Sequence, residues 1–240
     1  MASEYLKWKY RDVQHREPVV MTPAEKRRNW WHYHKWHVAV GLTLAVVAVY
    51  LVCRALGVGQ IRPDYQVAYV GTNALPDDTT AAIEAAFAAR GEDLNGDGQV
   101  VVQLNQYTSP EGAEPGVAMS NEVTLMADLL ECESYFFLLE DPEPFQQNYH
   151  VLRQLDGTQR EDGPWTAEGT CLTWAQCPVL AGTELGRYSY DLLGETVEGD
   201  SGELVSRLYL ARRGFWTEKT TAHPEGCAAL WEKLTEGAIS

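Results

Sequence analysis

Residues 38–58, VAVGLTLAVVAVYLVCRALGV, contain a single charged residue, Arg54, near their carboxyl end. As an α-helix these 21 residues would extend about 31 Å, which matches the roughly 30 Å hydrocarbon core of a bilayer. We interpret the stretch as a single-pass transmembrane helix whose first partner is the lipid bilayer. It separates a short amino-terminal segment, residues 1–37, from a long carboxyl-terminal segment, residues 59–240.

The two segments carry opposite net charges. Residues 1–37 have eight Lys/Arg and four Asp/Glu, a net charge of +4, whereas residues 59–240 have ten Lys/Arg and thirty Asp/Glu, a net charge of -20. Because basic flanks stay in the cytoplasm, we expect a cytoplasmic N-terminus and an extracytoplasmic domain anchored in the cell membrane. A domain this acidic repels nucleic acid, which argues against DNA or RNA as a partner.

The flanks of the apolar run favour an anchor over two alternatives. A cleaved signal peptide has a shorter basic lead and a small-residue cleavage site, and a lipoprotein has small residues before its cysteine, where this chain has Val52 before Cys53. The sequence Thr22-Pro23-Ala24-Glu25 is a capping box, which predicts that a helix begins there and continues into the membrane.

The segment after the anchor alternates between strand-like and helix-like patterns. Predicted strands cover residues 65–70, 100–107, 134–139 and 204–215, and predicted helices cover 76–90, 122–132 (capped by Ser120 or Asn121), 142–152 and 224–234. Between 154 and 202 we expect loops with short strands around 171–180. The alternation predicts an α/β fold with a mostly parallel sheet, right-handed crossovers and helices on both faces.

Four cysteines fall outside the membrane, where disulfides persist: Cys132, Cys171, Cys177 and Cys227. Four cysteines allow three pairings, and Cys171 and Cys177 are close enough in sequence to close a small loop. The alternative is four reduced, buried thiols, and the sequence leaves both open.

The first three strands end in polar residues. The sequence Val70-Gly71-Thr72-Asn73 ends the first strand, and Phe136 to Pro142 with Phe145 surrounds the end of the third. This order of elements resembles one lobe of the type II extracellular solute-binding (periplasmic binding) proteins. The resemblance implies a ligand site at the carboxyl ends of the strands, a place that open α/β sheets favour in general. The predicted ligand-binding residues are Thr72, Asn73, Asn105, Tyr107, Glu140 and Asp141.

The loop Asp93-Leu94-Asn95-Gly96-Asp97-Gly98-Gln99 places oxygen ligands at its first, third and fifth positions and a glycine at its sixth. It resembles the calcium loops of dockerin modules and EF-hands, although its twelfth position is Leu104 where those loops have an acidic residue. The resemblance implies Ca²⁺ as a ligand, held by Asp93, Asn95, Asp97 and the Gln99 carbonyl. The alternative is an Asn-Gly/Asp-Gly turn between a helix and a strand.

Catalytic motifs are absent from the sequence: it contains no G-x-S-x-G, P-loop, G-x-G-x-x-G after the first strand, or H-E-x-x-H. We therefore expect a membrane-anchored extracytoplasmic domain that binds a small solute or is a subunit of a membrane protein complex, and that is not an enzyme. The alternative is a membrane-tethered hydrolase acting on cell-envelope material.

Overall fold

A computed structural model of the chain divides it into two compact units. The residues that it describes are 21–55, 62–108, 115–158, 169–192, 195–214 and 219–238, with the isolated residues 4, 7 and 9. The first unit comprises residues 1–60 and the second residues 61–240. Two hydrophobic clusters lie within the second unit, which therefore has a core of its own.

The main element of the first unit is helix α1, Pro23–Ala55. Its capping box forms as predicted, because the Thr22 hydroxyl and backbone N–H both donate to the Glu25 carboxylate at 2.9 Å. Within the described residues, this helix alone is long and apolar enough to cross a membrane. None of its most apolar part is buried against other parts of the protein. Residues 56–58 of the predicted span lie outside the described residues.

The second unit is built on a mixed five-stranded sheet and a separate hairpin. The strands are β1 (Tyr65–Gly71), β2 (Val102–Thr108), β3 (Phe136–Leu139), β4 (Leu172–Thr173), β5 (Arg187–Leu192), β6 (Glu195–Asp200) and β7 (Tyr209–Arg212). The main sheet has the order β2-β1-β3-β7-β4, and β5 pairs with β6. Strand β1 is parallel to β2 and β3, whereas β7 is antiparallel to β3 and β4. The prediction of a mostly parallel sheet is therefore confirmed in part: β1, β2 and β3 run parallel, and the sheet is mixed because β7 runs antiparallel to its neighbours.

Helices cover both faces of this sheet, as predicted. They are α2 (Asp77–Ala88), α3 (Pro115–Glu131), α4 (Pro142–Tyr149), α5 (Pro178–Ala181), α6 (Ser201–Val205) and α7 (Pro224–Leu234). Because side chains alternate along a strand, Phe136 joins the cluster that contains Phe87 of α2 and Leu230 of α7. The next residue, Phe137, joins the opposite cluster with Phe145 of α4. Helices α2 and α3 thus lie on opposite faces, as expected for two crossovers of one hand, because the first runs from β1 to β2 and the second runs back from β2 past β1 to β3.

Several predicted element boundaries differ from the observed ones, and two differ by five residues or more. Helix α3 begins at Pro115, so Ser120 and Asn121 lie inside it instead of capping it. The predicted strand over 204–215 is only β7, because Asp200 caps the short helix α6 with hydrogen bonds from the backbone N–H groups of Gly202 and Glu203.

The hairpin of β5 and β6 was not predicted. Its strands pair Arg187 with Asp200 at one end and Leu192 with Glu195 at the other, and β6 has no buried residue. Without a buried face, the hairpin lacks the hydrophobic alternation by which a strand is recognised in sequence.

The five cysteines are free thiols, so the alternative of reduced cysteines holds and no small loop is closed. Cys171 packs in one hydrophobic cluster and Cys177 in the cluster on the opposite face of the sheet. Burial raises the pKa of Cys171 to about 12 and that of Cys177 to about 11, so both thiols stay protonated at neutral pH.

Candidate functional site

A cleft of about 450 Å³ opens at the carboxyl ends of the parallel strands. The carboxyl end of β1 leads into α2 on one face of the sheet, and the carboxyl end of β3 leads into α4 on the other face, so the two connections diverge at this edge. In open α/β sheets such a divergence leaves a crevice at the carboxyl edge, and ligands bind there. The cleft begins at the ends of β1 and β3, with Val70, Gly71 and Thr72 from one and Glu140 and Asp141 from the other.

Glu140 ties the end of β3 to the loop that follows β1. Its Oε1 accepts a hydrogen bond from the Tyr69 hydroxyl at 2.8 Å, and its Oε2 accepts one from the Thr72 backbone N–H at 2.7 Å. Tyr69 is buried, and burial raises the pKa of its phenol well above the usual range, so the phenol remains a donor. A Cβ on Gly71 would overlap the Tyr69 hydroxyl and the Glu140 carboxyl group, so this position requires glycine.

The other wall of the cleft comes from α3 and α4. The lining side chains of these helices are Asn121, Glu122 and Leu125, then Pro144, Phe145, Asn148 and Tyr149. The rings of Phe145 and Tyr149 pack with centroids 5.1 Å apart. Burial raises the pKa of Tyr149, and the negative charge of Glu122 adds to that rise, which places this carboxylate near the phenol. Aromatic surface and carboxylate charge therefore meet on this wall.

Tyr107 of β2 lines the cleft, and its hydroxyl belongs to a buried network of polar side chains. Its hydroxyl donates to Asp128 Oδ2 at 2.7 Å, and Asp128 also accepts from the Ser134 hydroxyl at 2.6 Å. The Arg213 guanidinium lies 3.5 Å from Asp128 Oδ1, and both side chains are 1% exposed. A buried carboxylate needs such partners, because charge without compensation is costly in a low-dielectric interior. The network holds the Tyr107 ring in a fixed position beside the cleft.

Four of the six predicted ligand-binding residues line this cleft, namely Thr72, Tyr107, Glu140 and Asp141. The other two, Asn73 and Asn105, are not among the residues that line it. Asn73 is exposed, and its carbonyl is a second acceptor, 2.8 Å away, for the single O–H of Tyr69 that Glu140 also faces. The side chain of Asn105 instead bonds to two other strand residues. It donates to Gln66 of β1 at 3.0 Å and accepts from Gln103 of its own strand at 2.8 Å.

Sequence reasoning missed the cleft residues that helices α3 and α4 contribute, above all Glu122 and Tyr149. The signal that could have identified them is position along the helix. Glu122 and Asn121 lie in the turn before Leu125, and Tyr149 is four residues after Phe145, so each shares a helix face with a buried anchor.

The loop predicted to bind calcium is held by hydrogen bonds from its own backbone. Asp93 accepts from Gly96 N–H at 2.6 Å and from Gly98 N–H at 2.7 Å, and these bonds keep the pKa of its carboxyl below the usual range. Gly96 and Gly98 have φ of 77° and 88°, which favours glycine at both positions.

Asp64, which sequence reasoning overlooked, anchors this loop. It is 2% exposed, and its carboxylate accepts from the N–H groups of Leu94, Asn95 and Val101 at 2.8, 3.0 and 2.8 Å. No group of three or more His, Cys, Asp or Glu side chains in the described part of the chain is placed to hold a metal ion. Calcium binding by Asp93, Asn95, Asp97 and the Gln99 carbonyl stays a prediction.

Comparison of the chain with protein-family models, with curated proteins and with solved structures gave no match.

Proposed function

We propose that this protein is a membrane-anchored binding protein, in which α1 crosses the bilayer and the domain outside the membrane binds a ligand in the cleft. The observation that carries the proposal is the position of the cleft between the carboxyl ends of β1 and β3, where the connecting helices diverge. Its volume of about 450 Å³ lies within the roughly 300–1,000 Å³ typical of small-molecule sites.

The hydrolase alternative draws support from the carboxylates in the cleft, since paired carboxylates are a common acid and base. Two of the three carboxylates, however, make hydrogen bonds that give them a structural role. Glu140 holds the β1 loop, and Asp141 accepts from the Glu143 N–H at 3.3 Å as the N-cap of α4. Binding is therefore the better interpretation. Release of soluble fragments from purified cell-envelope polymers by the parent, lost in a Glu122→Gln variant, would favour the hydrolase.

The binding proposal is tested by blocking the cleft. The full chain in maltoside micelles is screened by NMR against a mixed library of small cationic, neutral and anionic compounds. Asn148 is exposed and lines the cleft, so Asn148→Trp should abolish the binding of the compounds found. Gln147 is exposed on the same helix and lies outside the cleft lining, so Gln147→Trp is the matched control and should bind normally. Hits that bind equally to both variants would contradict the proposal.

A further inference from the structure

The described lining of the cleft carries three carboxylates, Glu122, Glu140 and Asp141, and no basic side chain. In a domain of net charge -20, this edge of the sheet attracts cations and repels anions.

The basic residues of the domain that have described partners are bonded elsewhere. Their partners are the Val179 carbonyl for Arg90, the Gly157 carbonyl for Arg153, Glu198 for Arg187, Glu232 for Arg212, Asp128 for Arg213, Glu131 for Lys219 and Glu92 for Lys233. None of these hydrogen bonds and ion pairs involves a carboxylate of the cleft. Within the described part of the chain, the negative charge of the cleft is therefore not neutralised by the protein.

The walls of the cleft are aromatic as well as acidic. Tyr107, Phe145 and Tyr149 line it, and Tyr107 and Phe145 are 7% and 4% exposed, so packing fixes their rings. Aromatic faces attract organic ammonium ions, and a ring set beside carboxylates is a recurring way to bind them. A fully hydrated metal ion gains little from such walls, whereas an alkylammonium buries its methylene or methyl groups against them.

We propose that the ligand of this cleft is a small organic cation bearing an ammonium group. The inference rests on the proposed function and specifies the chemistry of the same site. Glu122 supplies charge without a partner among the described residues, Glu140 and Asp141 add to the negative potential, and the three aromatic rings contact the hydrocarbon part of the ligand.

The test compares three compounds of nearly equal shape and different charge: choline, 3,3-dimethylbutan-1-ol and 3,3-dimethylbutanoate. Each is titrated into the full chain, labelled with 3-fluorotyrosine, in maltoside micelles, and the ¹⁹F signals of Tyr107 and Tyr149 are assigned from their Phe variants. Choline should shift both signals and bind about two- to fivefold more tightly than the neutral alcohol, as one exposed charge interaction allows. The anion should leave both signals unchanged.

Two variants that each remove one negative charge show whether choline affinity depends on a carboxylate in the cleft or on the net charge of the domain. Glu122→Gln should weaken choline about two- to fivefold. Glu225→Gln makes the same change of net charge on α7, which packs on the opposite face of the sheet, and should leave the affinity unchanged. Equal weakening by both variants would overturn the proposal in favour of general attraction to an acidic domain.

Different results of these titrations would contradict the cationic class and the proposed binding function. If the neutral or anionic compound shifts the Tyr107 and Tyr149 signals at least as strongly as choline, the cleft binds ligands but the cationic class is wrong. If no compound in this series or in the mixed library moves either signal, the cleft is not a binding site, and both proposals are wrong.

Discussion

At the scale of single residues, Glu140 has the most specific role in shaping the cleft. Its two oxygens accept from different partners. An amide at this position would either turn its N–H groups toward the Thr72 N–H or replace the charge-assisted bond from the Tyr69 hydroxyl with a weaker one that it donates to that hydroxyl. We expect Glu140→Gln to lower the free energy of unfolding by about 0.5–1.5 kcal/mol, the net contribution of one hydrogen bond. Urea unfolding of residues 61–240 measures it. Glu143→Gln, an exposed change three residues away, should cost less than about 0.5 kcal/mol; equal losses would show that Glu140 does not fasten the loop.

A second prediction for single residues concerns Ca²⁺ binding by the loop from Asp93 to Gln99. Weak binding is expected, because Leu104 supplies no bidentate carboxylate and extracellular sites have Kd of about 10⁻⁴–10⁻³ M. With Kd near 10⁻⁴ M, about 1 mM Ca²⁺ would stabilise the domain by roughly 1.4 kcal/mol and raise its Tm by about 2–4 °C. Thermal unfolding in calcium and in chelator measures this. Asp97→Ala should not respond to calcium. An unchanged Tm in the parent would leave the loop as a turn that Asp64 and Asp93 hold together.

At the scale of elements, the most apolar strand is the most central. Phe137 is fully buried, packs against Phe145 with centroids 5.4 Å apart and lies under the Arg213 guanidinium. Phe137→Ala should therefore cost about 3–5 kcal/mol in the free energy of unfolding. Chemical denaturation of residues 61–240 measures the loss, and Tyr190→Ala on the exposed hairpin is the comparison. A loss below about 1 kcal/mol for Phe137→Ala would show that β3 is not at the centre of the core.

The elements of the second unit that sequence reasoning predicted share one physical property: each has a buried face. Helix α7 was predicted with its observed limits because Pro224 starts it and its apolar residues repeat at helical spacing. The hairpin of β5 and β6 has no such face and gives no periodic signal. The two-residue strand β4 lies within 171–180, where short strands were expected, but it is too short for its limits to be predicted. The cleft was half predicted for the same reason. Strand ends could be read from the sequence, whereas Glu122 and Tyr149 depend on how α3 and α4 pack.

At the scale of the whole molecule, the proposal requires residues 1–37 and the binding domain on opposite sides of the membrane. Cys171 is buried and unsuited to labelling, so Ala24→Cys and Ser189→Cys, both at exposed positions, provide accessible thiols on the two sides in a Cys53→Ser background. An impermeant maleimide should label Ser189→Cys on intact cells and Ala24→Cys only after lysis. The opposite pattern would reverse the topology, and labelling of both on intact cells would exclude a transmembrane anchor.

The central claim is that the cleft at the ends of β1 and β3 is the binding site, and the most direct measurement is the position of a bound cation. Intermolecular nuclear Overhauser effects from the choline methyl protons are recorded on the full chain in maltoside micelles. The account predicts contacts to the ring protons of Tyr107, Phe145 and Tyr149, which should disappear in Asn148→Trp. Contacts confined to aromatic residues outside the cleft, such as Trp231 of α7 or Trp36 of α1, would contradict it.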